Sequence, residues 1–242
     1  MKIAEGIEIV DLGLYFVKEK ILAVSDFHLG YEAELRKKGV FLPAHQFSDT
    51  RKRLEKIFEK LKSENKIIRT IIITGDLRHE FGAVSRQEYF DVKELLELMK
   101  ENSKKVILLK GNHETMHNYV KKFVFVKNYF LTPNIAFLHG DKIPDSQKVL
   151  DRKVFVIGHE HPAIKVTDNV ASEKVKCFLK GKWKNKLLLV LPSFNLITEG
   201  TNVLAGKLLS PFLKNIKDFE IFAVAEQNSV LYFGKIKGLR LI

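Results

Sequence analysis

The 242-residue sequence predicts an α/β layered fold, and two features of its pattern indicate this class. Short, β-branched apolar runs alternate with charged amphipathic stretches over the first two thirds of the chain. After about residue 165 the helical signal fades, and strand and hairpin patterns take over. Because no linker rich in Pro, Gly or Ser separates the two parts, we expect one domain over residues 1–242, with residues 165–242 mainly as strands that complete a second sheet.

The individual elements follow from local periodicity. Two stretches repeat apolar residues at spacings of three and four and are predicted helices, Gln46–Ser63 and Arg86–Lys100. Ser85 is the expected N-cap of the second helix, and Glu88 would complete a capping box. Eight short apolar runs are predicted strands: Lys20–Ser25, Arg69–Thr74, Val106–Lys110, Ile135–Leu138, Val154–Ile157, Leu187–Leu191, Ile221–Ala225 and Val230–Lys235.

Composition restricts the classes of protein that fit. The formal charge of +12 would attract polyanions such as nucleic acid, or would equally reflect a surface adapted for solubility and heat. The single cysteine, Cys177, excludes an internal disulfide and a metal site built from several cysteines. No apolar stretch approaches the roughly 18 residues of a membrane span and no secretory signal is visible, so we expect a cytoplasmic protein without a membrane partner.

Five of the eight histidines directly follow predicted strands, each beside an acid, an amide or a glycine. Because the carboxyl ends of strands in an open α/β sheet meet at one edge, we expect these residues to lie together. One such element often arises by chance, whereas five in this order do not. The segments are Asp26-Phe27-His28, Gly75-Asp76, Gly111-Asn112-His113-Glu114, His139-Gly140 and Gly158-His159-Glu160-His161.

The side chains in these segments form a set of metal ligands. Carboxylates, imidazoles and one amide, without a thiolate, suit harder divalent ions such as manganese, iron, zinc or magnesium. One ion binds roughly four to six ligands. The seven candidate ligands exceed this number, which indicates two ions that share a carboxylate. Asp26 and His28 are two positions apart and would share one face if the strand continues through them.

This pattern resembles the signature of the calcineurin-like metallophosphoesterases: D-x-H, G-D, G-N-H-[DE], H and G-H-x-H. The signature is complete here and spans residues 26–161. The resemblance implies a four-layer α-β-β-α sandwich, with two mixed β-sheets flanked by helices, and a dinuclear metal site. It implies Mn2+ as the expected ion, with Fe, Zn, Ni or Mg as alternatives.

The resemblance also implies a role for each residue of the signature. Asp76 would bridge the two ions, and His113 would be the catalytic histidine that acts on the leaving group. One ion would be held by Asp26, His28, Asp76 and His161, and the other by Asp76, Asn112, His139 and His159.

The segment Gly75-Asp76-Leu77-Arg78-His79 indicates which branch of the family the sequence resembles. It departs from the protein Ser/Thr phosphatases and looks like the SbcD-type DNA exonucleases, in particular their compact archaeal-type and DNA-ligase-associated relatives. By that likeness His79 would contact the phosphate or the DNA strand, although a solvated loop histidine is also compatible. Arg36 is a weaker candidate for a phosphate contact, and too few residues follow the last motif for a full DNA-capping domain.

We therefore expect a phosphoesterase that hydrolyses phosphodiester bonds of nucleic acid, DNA or RNA, or of nucleotides by metal-activated attack of water. A phosphomonoesterase or a cyclic-nucleotide phosphodiesterase would use the same metals, and a non-catalytic scaffold of the same fold is a further alternative. Six lysines interleaved with Phe178 and Trp183 between Lys174 and Lys186 could follow a nucleic-acid backbone. A hairpin with a charged outer face is the simpler interpretation of this segment.

Overall fold

The computed structural model describes residues 1–41, 45–79, 84–112, 118–167, 172–225 and 229–239. The described residues form two mixed β-sheets with few helices, which confirms the predicted α/β class. The seven strands of the first sheet lie in chain order: β1 (Lys2–Ala4), β2 (Ile7–Val10), β3 (Gly13–Phe16), β4 (Ile21–Val24), β5 (Thr70–Ile73), β6 (Lys105–Leu109) and β7 (Phe125–Lys127).

The second sheet has nine strands in the described part of the chain. Its order is β14-β11-β12-β13-β10-β9-β8, and β15 pairs with both β12 and β16. Strands β9, β10 and β13 are parallel to one another. The bounds are β8 (Phe130–Leu131), β9 (Ile135–Leu138), β10 (Val154–Ile157), β11 (Pro162–Thr167), β12 (Ser172–Trp183), β13 (Lys186–Val190), β14 (Thr201–Asn202), β15 (Glu220–Val224) and β16 (Val230–Lys235).

Helices lie in the crossovers between parallel strands of both sheets, most of them in the first sheet. The crossovers from β4 to β5 and from β5 to β6 carry the two long helices, and the right-handed rule places both on the same face of the sheet. The remaining three helices are short. The bounds are α1 (Tyr31–Lys37), α2 (Gln46–Ser63), α3 (Arg86–Glu101), α4 (Asn118–Lys121) and α5 (Gln147–Leu150). No helix in the described part of the chain is both long and apolar enough to cross a membrane.

Two apolar cores hold the layers together. The first joins α2, α3, the first sheet and one face of the second sheet, where the rings of Phe16 and Phe137 meet edge to face at 5.0 Å. The second core covers the opposite face of the second sheet, and Val149 of α5 and Phe212 contribute to it. This outer layer consists of a four-residue helix and an irregular segment around residues 206–219, so it is thinner than the helical layer on the other side.

The predicted elements agree with the structure to within one residue at each end. Eight strands of the described chain and the three short helices were not predicted. Most of these elements are short, and lysines interrupt the apolar pattern of β12. The unpredicted strands are β1, β2, β3, β7, β8, β11, β12 and β14. Trp183 on β12 is 9% exposed and packs against Phe155 and Phe212, so its ring is not available to stack on a base. The lysine-rich segment is therefore the hairpin with a charged outer face.

The loops that follow β4 and β5 are paired with each other beyond the end of the strands. His28 N–H donates to the carbonyl of Asp76 at 2.9 Å, and Leu29 N–H donates to that of Leu77 at 2.9 Å. His79 N–H donates to the carbonyl of Leu29 at 3.0 Å, so the two loops bond in both directions. These backbone bonds keep the two loops side by side at the edge of the sheet, which is where the predicted site residues lie.

A buried ion pair connects the loop after β5 to the start of α3. Ser85 caps α3 by accepting the N–H of Glu88 at 3.1 Å, as predicted. The Glu88 carboxylate binds the Arg78 guanidinium instead of completing the capping box. The side chains of Arg78 and Glu88 are 1% and 5% exposed, so each charge depends on the other for its neutralisation.

We expect Glu88→Ala to lower the free energy of unfolding by about 3–5 kcal/mol, because it leaves the buried Arg78 charge without a partner. The control is Glu94→Ala on the same helix, where the ion pair with Arg51 is about half exposed. Its effect should lie within about 1 kcal/mol. Urea denaturation of the two variants measures both values, and equal losses would show that the Arg78 pair does not stabilise the loop.

Candidate metal centre

The predicted site residues occupy sharp turns at the carboxyl ends of parallel strands. Five of them have a positive φ: Asp26 (50°), His28 (46°), Asp76 (32°), His159 (64°) and His161 (49°). Such left-handed backbone is unfavourable for residues other than glycine and is typical of functional sites. The sequence predicts Asp26 and His28 on one face if the strand continues through them, but β4 ends before Asp26. The two residues instead adopt left-handed conformations, which bring both side chains to the same centre.

The first group of side chains consists of Asp26, His28 and His161, whose ligand atoms lie within 4.8 Å of one another. His161 Nε2 lies 3.4 Å from Asp26 Oδ2 and 3.3 Å from His28 Nε2. The two imidazole nitrogens therefore face each other beside a carboxylate, which is an arrangement that a shared cation would satisfy.

The second group consists of Asp76, His139 and His159, again with ligand atoms within 4.8 Å of one another. His139 Nε2 lies 3.2 Å from His159 Nδ1 and 3.5 Å from Asp76 Oδ2. Asn112 Oδ1 lies 2.8 Å from the same nitrogen of His139, so the amide belongs to this group as well.

Asp76 lies between the two groups. Its Oδ2 atom is 3.9 Å from His28 Nε2 in the first group and 3.5 Å from His139 Nε2 in the second. One oxygen atom thus approaches imidazoles of both groups. This is the position that a bridging carboxylate requires.

Asp26 has no exposed surface, and several groups hold its carboxylate in place. The Ser25 hydroxyl and the backbone N–H of His159 donate to Oδ2, the latter at 2.9 Å, and Thr74 Oγ1 donates to Ser25 Oγ at 2.7 Å. Burial alone would raise the pKa of Asp26, but the neighbouring imidazoles, His161 first, outweigh it and hold the pKa below its ordinary value. The carboxylate is therefore ionised at neutral pH.

The imidazoles are oriented for binding through a free nitrogen. His139 Nδ1 lies 2.9 Å from the carbonyl oxygen of Thr74, which can only accept, so Nδ1 carries a proton and Nε2 is the atom that faces Asp76, Asn112 and His159. Burial, reinforced by His139, lowers the pKa of His159 to about 4. The His159 ring is therefore neutral near pH 7, the state in which imidazole binds a metal.

Glycines make the close approach of these side chains possible. A Cβ atom on Gly75 would lie 1.9 Å from His139 Nδ1, and one on Gly111 would lie 1.9 Å from Asp76 Oδ1. A Cβ atom on Gly158 would lie 1.8 Å from Ser25 Oγ. The three positions exclude any side chain because the candidate ligands and their partners fill the space.

Several supporting residues were not predicted. Ser193 Oγ donates to the carbonyl of Asp26 at 2.8 Å, and Asn195 Nδ2 donates to that of His28 at 3.4 Å. Both follow β13, so the rule that parallel strands end at a common edge could have identified them. The buried carboxylate of Glu160 accepts the N–H groups of Leu209 and Ser210 at 2.8 and 2.9 Å. This carboxylate anchors the turn that carries His159 and His161.

The other predicted residues lie further from this centre. His79 contacts the first group through its Nδ1, 3.4 Å from His28 Nδ1, while its Nε2 binds Glu34 at 2.6 Å. Arg36 on α1 is about half exposed and lies 3.6 Å from Glu32, on the wall of a neighbouring cleft. His113, the predicted catalytic histidine, lies outside the described residues.

The donor set and its spacing fit two divalent ions. Bonds of about 2.0–2.2 Å separate the ligand atoms of one ion by about 3–3.6 Å. Within each group the imidazole nitrogens lie 3.2–3.5 Å from each other and from the carboxylate oxygen, and the Asn112 contact is shorter, at 2.8 Å. In addition, Oδ1 of the fully buried Asp26 has no hydrogen-bond partner among the described residues. A cation at this point would supply the missing interaction.

Comparison with known proteins agrees with this geometry, a two-sheet fold with a carboxylate and histidine centre between the sheets. The sequence model of the calcineurin-like phosphoesterases matches residues 19–216, so the chain belongs to this family. Membership of this family suggests a phosphoester hydrolase and implies divalent metal ions at the two groups of side chains. No curated protein sequence matches the chain significantly.

Solved structures are similar to this chain. A nuclease MPE from Pseudomonas putida superposes with a TM-score of 0.60 at 19% identity, and 90% of this chain aligns with 91% of that one. At this identity the likeness to the nuclease concerns the fold alone. YfcE, a phosphoesterase from E. coli, gives a TM-score of 0.39 at 15% identity over 87% of this chain and 96% of that one. A Vps29 mutant from Entamoeba histolytica gives 0.41 at 15% identity over 88% and 99%.

We expect Gly111→Ala to reduce the manganese bound per chain from two ions to one or none, because the added methyl group displaces the Asp76 carboxylate. Gly238→Ala is the matched control, since neither glycine has a positive φ and a Cβ atom at Gly238 has no neighbour within 4 Å. Inductively coupled plasma mass spectrometry after loading and desalting measures the content. Two ions in both variants would contradict the placement of Asp76 between the groups.

Proposed function

We propose that the chain is a phosphodiesterase that depends on two divalent ions and acts on nucleic acid or nucleotides. The observation that carries this proposal is the position of Asp76 Oδ2, 3.9 Å from an imidazole of one group and 3.5 Å from an imidazole of the other. A pair of ions bridged in this way would activate water and neutralise the charge that develops on the phosphoryl oxygens. Manganese is the ion we propose, because the set of oxygen and nitrogen ligands suits it.

The residues of the chain then have distinct tasks. Asp26, His28, Asp76 and His161 would hold one ion, and Asp76, Asn112, His139 and His159 would hold the other. The hydroxyls of Ser25 and Thr74 fix the orientation of Asp26. His113 would donate a proton to the oxygen of the departing group, which is a task suited to an imidazole that titrates near neutral pH.

A diester has two substituents, and a cleft adjoins each side-chain group. The first cleft, of about 270 Å³, begins at Leu29 and Gly30 directly after His28. Arg36 and Lys37 of α1 line it and carry its positive charge, while the carboxylates of Glu32, Glu88 and Asp91 lie in the same lining. We propose Arg36 as a contact for a phosphate in this cleft, and His79 as the residue between the cleft and the centre that positions His28 or contacts the strand.

The second cleft, of about 400 Å³, is lined by His139 and by Gly111, whose Cα faces the Asp76 carboxylate. Its walls carry Lys110, Lys142 and the ring of Tyr129. Asp141 and Asp145 line the same cleft, and we propose that the two amines bind the phosphate and that the aromatic ring stacks on the base of a nucleotide. Both clefts are small, which supports a single strand or a nucleotide as the substrate.

The Pseudomonas putida protein with the same fold is a nuclease. At 19% identity this likeness does not define the substrate, but it is compatible with a phosphodiester of nucleic acid. The formal charge of +12 favours the approach of polyanions in the same way. A monoesterase would have no use for two clefts, which is why we favour the diesterase.

The test compares bis-p-nitrophenyl phosphate with p-nitrophenyl phosphate as substrates of the manganese-loaded protein. We expect the diester to be cleaved with the higher kcat/KM, and we expect cleavage to stop when EDTA removes the metal. DNA and RNA oligonucleotides are the next substrates. Release of nitrophenolate followed at 405 nm provides the rates.

The variant His113→Ala is the control for contaminating phosphatases. It should retain both ions while diester cleavage falls at least about 100-fold, because general acid catalysis contributes about 10²–10⁴-fold. A preference for the monoester would replace the proposal with a phosphomonoesterase. Absence of cleavage by fully loaded protein would favour a scaffold.

A further inference from the structure

A cavity of about 610 Å³ lies apart from the two clefts of the metal centre. Strands β11, β12, β15 and β16 form its walls, together with α2 and the segment that follows Asn195. Most of its lining is apolar, and Leu196, Ala223 and Phe233 contribute to it. Leu231 and Val166 also line the cavity and are 52% and 39% exposed, so apolar surface continues to its mouth.

Lys176 places an amine in this mainly apolar cavity. Its Nζ donates to the carbonyl of Thr198 at 2.7 Å, which uses one of its three hydrogens. The other two cations of the wall are paired, Lys174 with Glu199 at 3.0 Å and Arg53 with Asp11 at 2.6 Å. Among the described residues Lys176 has no carboxylate partner, although Glu173 also lines the cavity.

A second polar group of the wall lacks a partner. The hydroxyl of Thr198 is buried and makes no hydrogen bond in the described part of the chain. An amine and a hydroxyl in one wall can donate together to the oxygens of an anion. A buried amine without a counter-charge is unfavourable, so a bound anion would stabilise this wall.

The lowered pKa of Lys176 is a further sign that this wall would be stabilised by an anion. Burial, reinforced by the positive charge of Arg53, lowers the pKa of Lys176 to about 7, and the distant carboxylate of Asp26 opposes the shift only in part. An anion next to the amine would favour its charged form.

We infer that this cavity binds a small molecule with a carboxylate head group and an apolar body, the head group on Lys176 and Thr198 and the body along Leu196, Ala223 and Phe233. The size of the cavity supports this class of ligand, since pockets for small molecules range over about 300–1,000 Å³. Neither the metal centre nor the phosphodiesterase reaction is required for such binding.

Calorimetric titration with octanoate and with 1-octanol tests the inference on the full-length protein. We expect octanoate to bind the wild type more tightly than octanol. Lys176→Met should weaken octanoate at least about tenfold, the effect of losing one charge-assisted hydrogen bond, and should leave octanol unchanged. Lys182→Met on the same strand is the matched control and should keep the affinity for octanoate, because Lys182 is exposed and does not line the cavity.

A second pair of variants tests the mouth of the cavity without altering Lys176. Leu231→Glu should weaken both probes, whereas Tyr232→Glu should not, because Tyr232 is equally exposed but does not line the cavity. Absence of octanoate binding to the wild type would overturn the inference. Equal octanoate affinities for the wild type and Lys176→Met would also overturn it. Either result leaves the proposed phosphodiesterase activity unaffected.

Discussion

The arrangement of the candidate metal centre depends on one buried carboxylate, that of Asp26. The side chain lies at the end of β4, in the seam where the two sheets meet, and it has no exposed surface. Its Oδ2 atom accepts hydrogen bonds from Ser25 and from the backbone of His159, and the backbone carbonyl of Asp26 accepts one from Ser193. A single residue therefore connects β4 of the first sheet to the ends of β10 and β13 in the second.

The contacts between the two sheets explain how unfavourable backbone conformations are maintained around the centre. Asp26, His28 and Asp76 adopt left-handed conformations that an isolated loop would avoid. The paired loops after β4 and β5, the Arg78–Glu88 ion pair and the glycines that face the ligands hold these conformations. The free energy of folding thus compensates for these unfavourable backbone conformations, and the candidate ligands are in place before a cation binds.

Much of this could be predicted from the sequence, because the carboxyl ends of parallel strands converge. The seven candidate ligands follow predicted strands of both sheets, and the structure brings all of them together where the strand ends of the two sheets meet. The turns themselves could not be predicted, since no residue pattern distinguishes a left-handed Asp26 from a continued strand. The role of Glu160 could not be predicted either, because only the position of residues 209–210 in the fold reveals its partners. The strand β12 could not be predicted because lysines interrupt its apolar pattern. Its burial depends on the neighbouring strands of the sheet.

Anomalous diffraction from crystals of the manganese-loaded protein, measured near the manganese absorption edge, tests the central claim most directly. The proposed centre predicts two peaks about 3.5–4 Å apart on either side of the Asp76 carboxylate. One peak should lie beside Asp26, His28 and His161, and the other beside Asn112, His139 and His159. A single peak, or two peaks that do not share Asp76, would contradict the dinuclear centre.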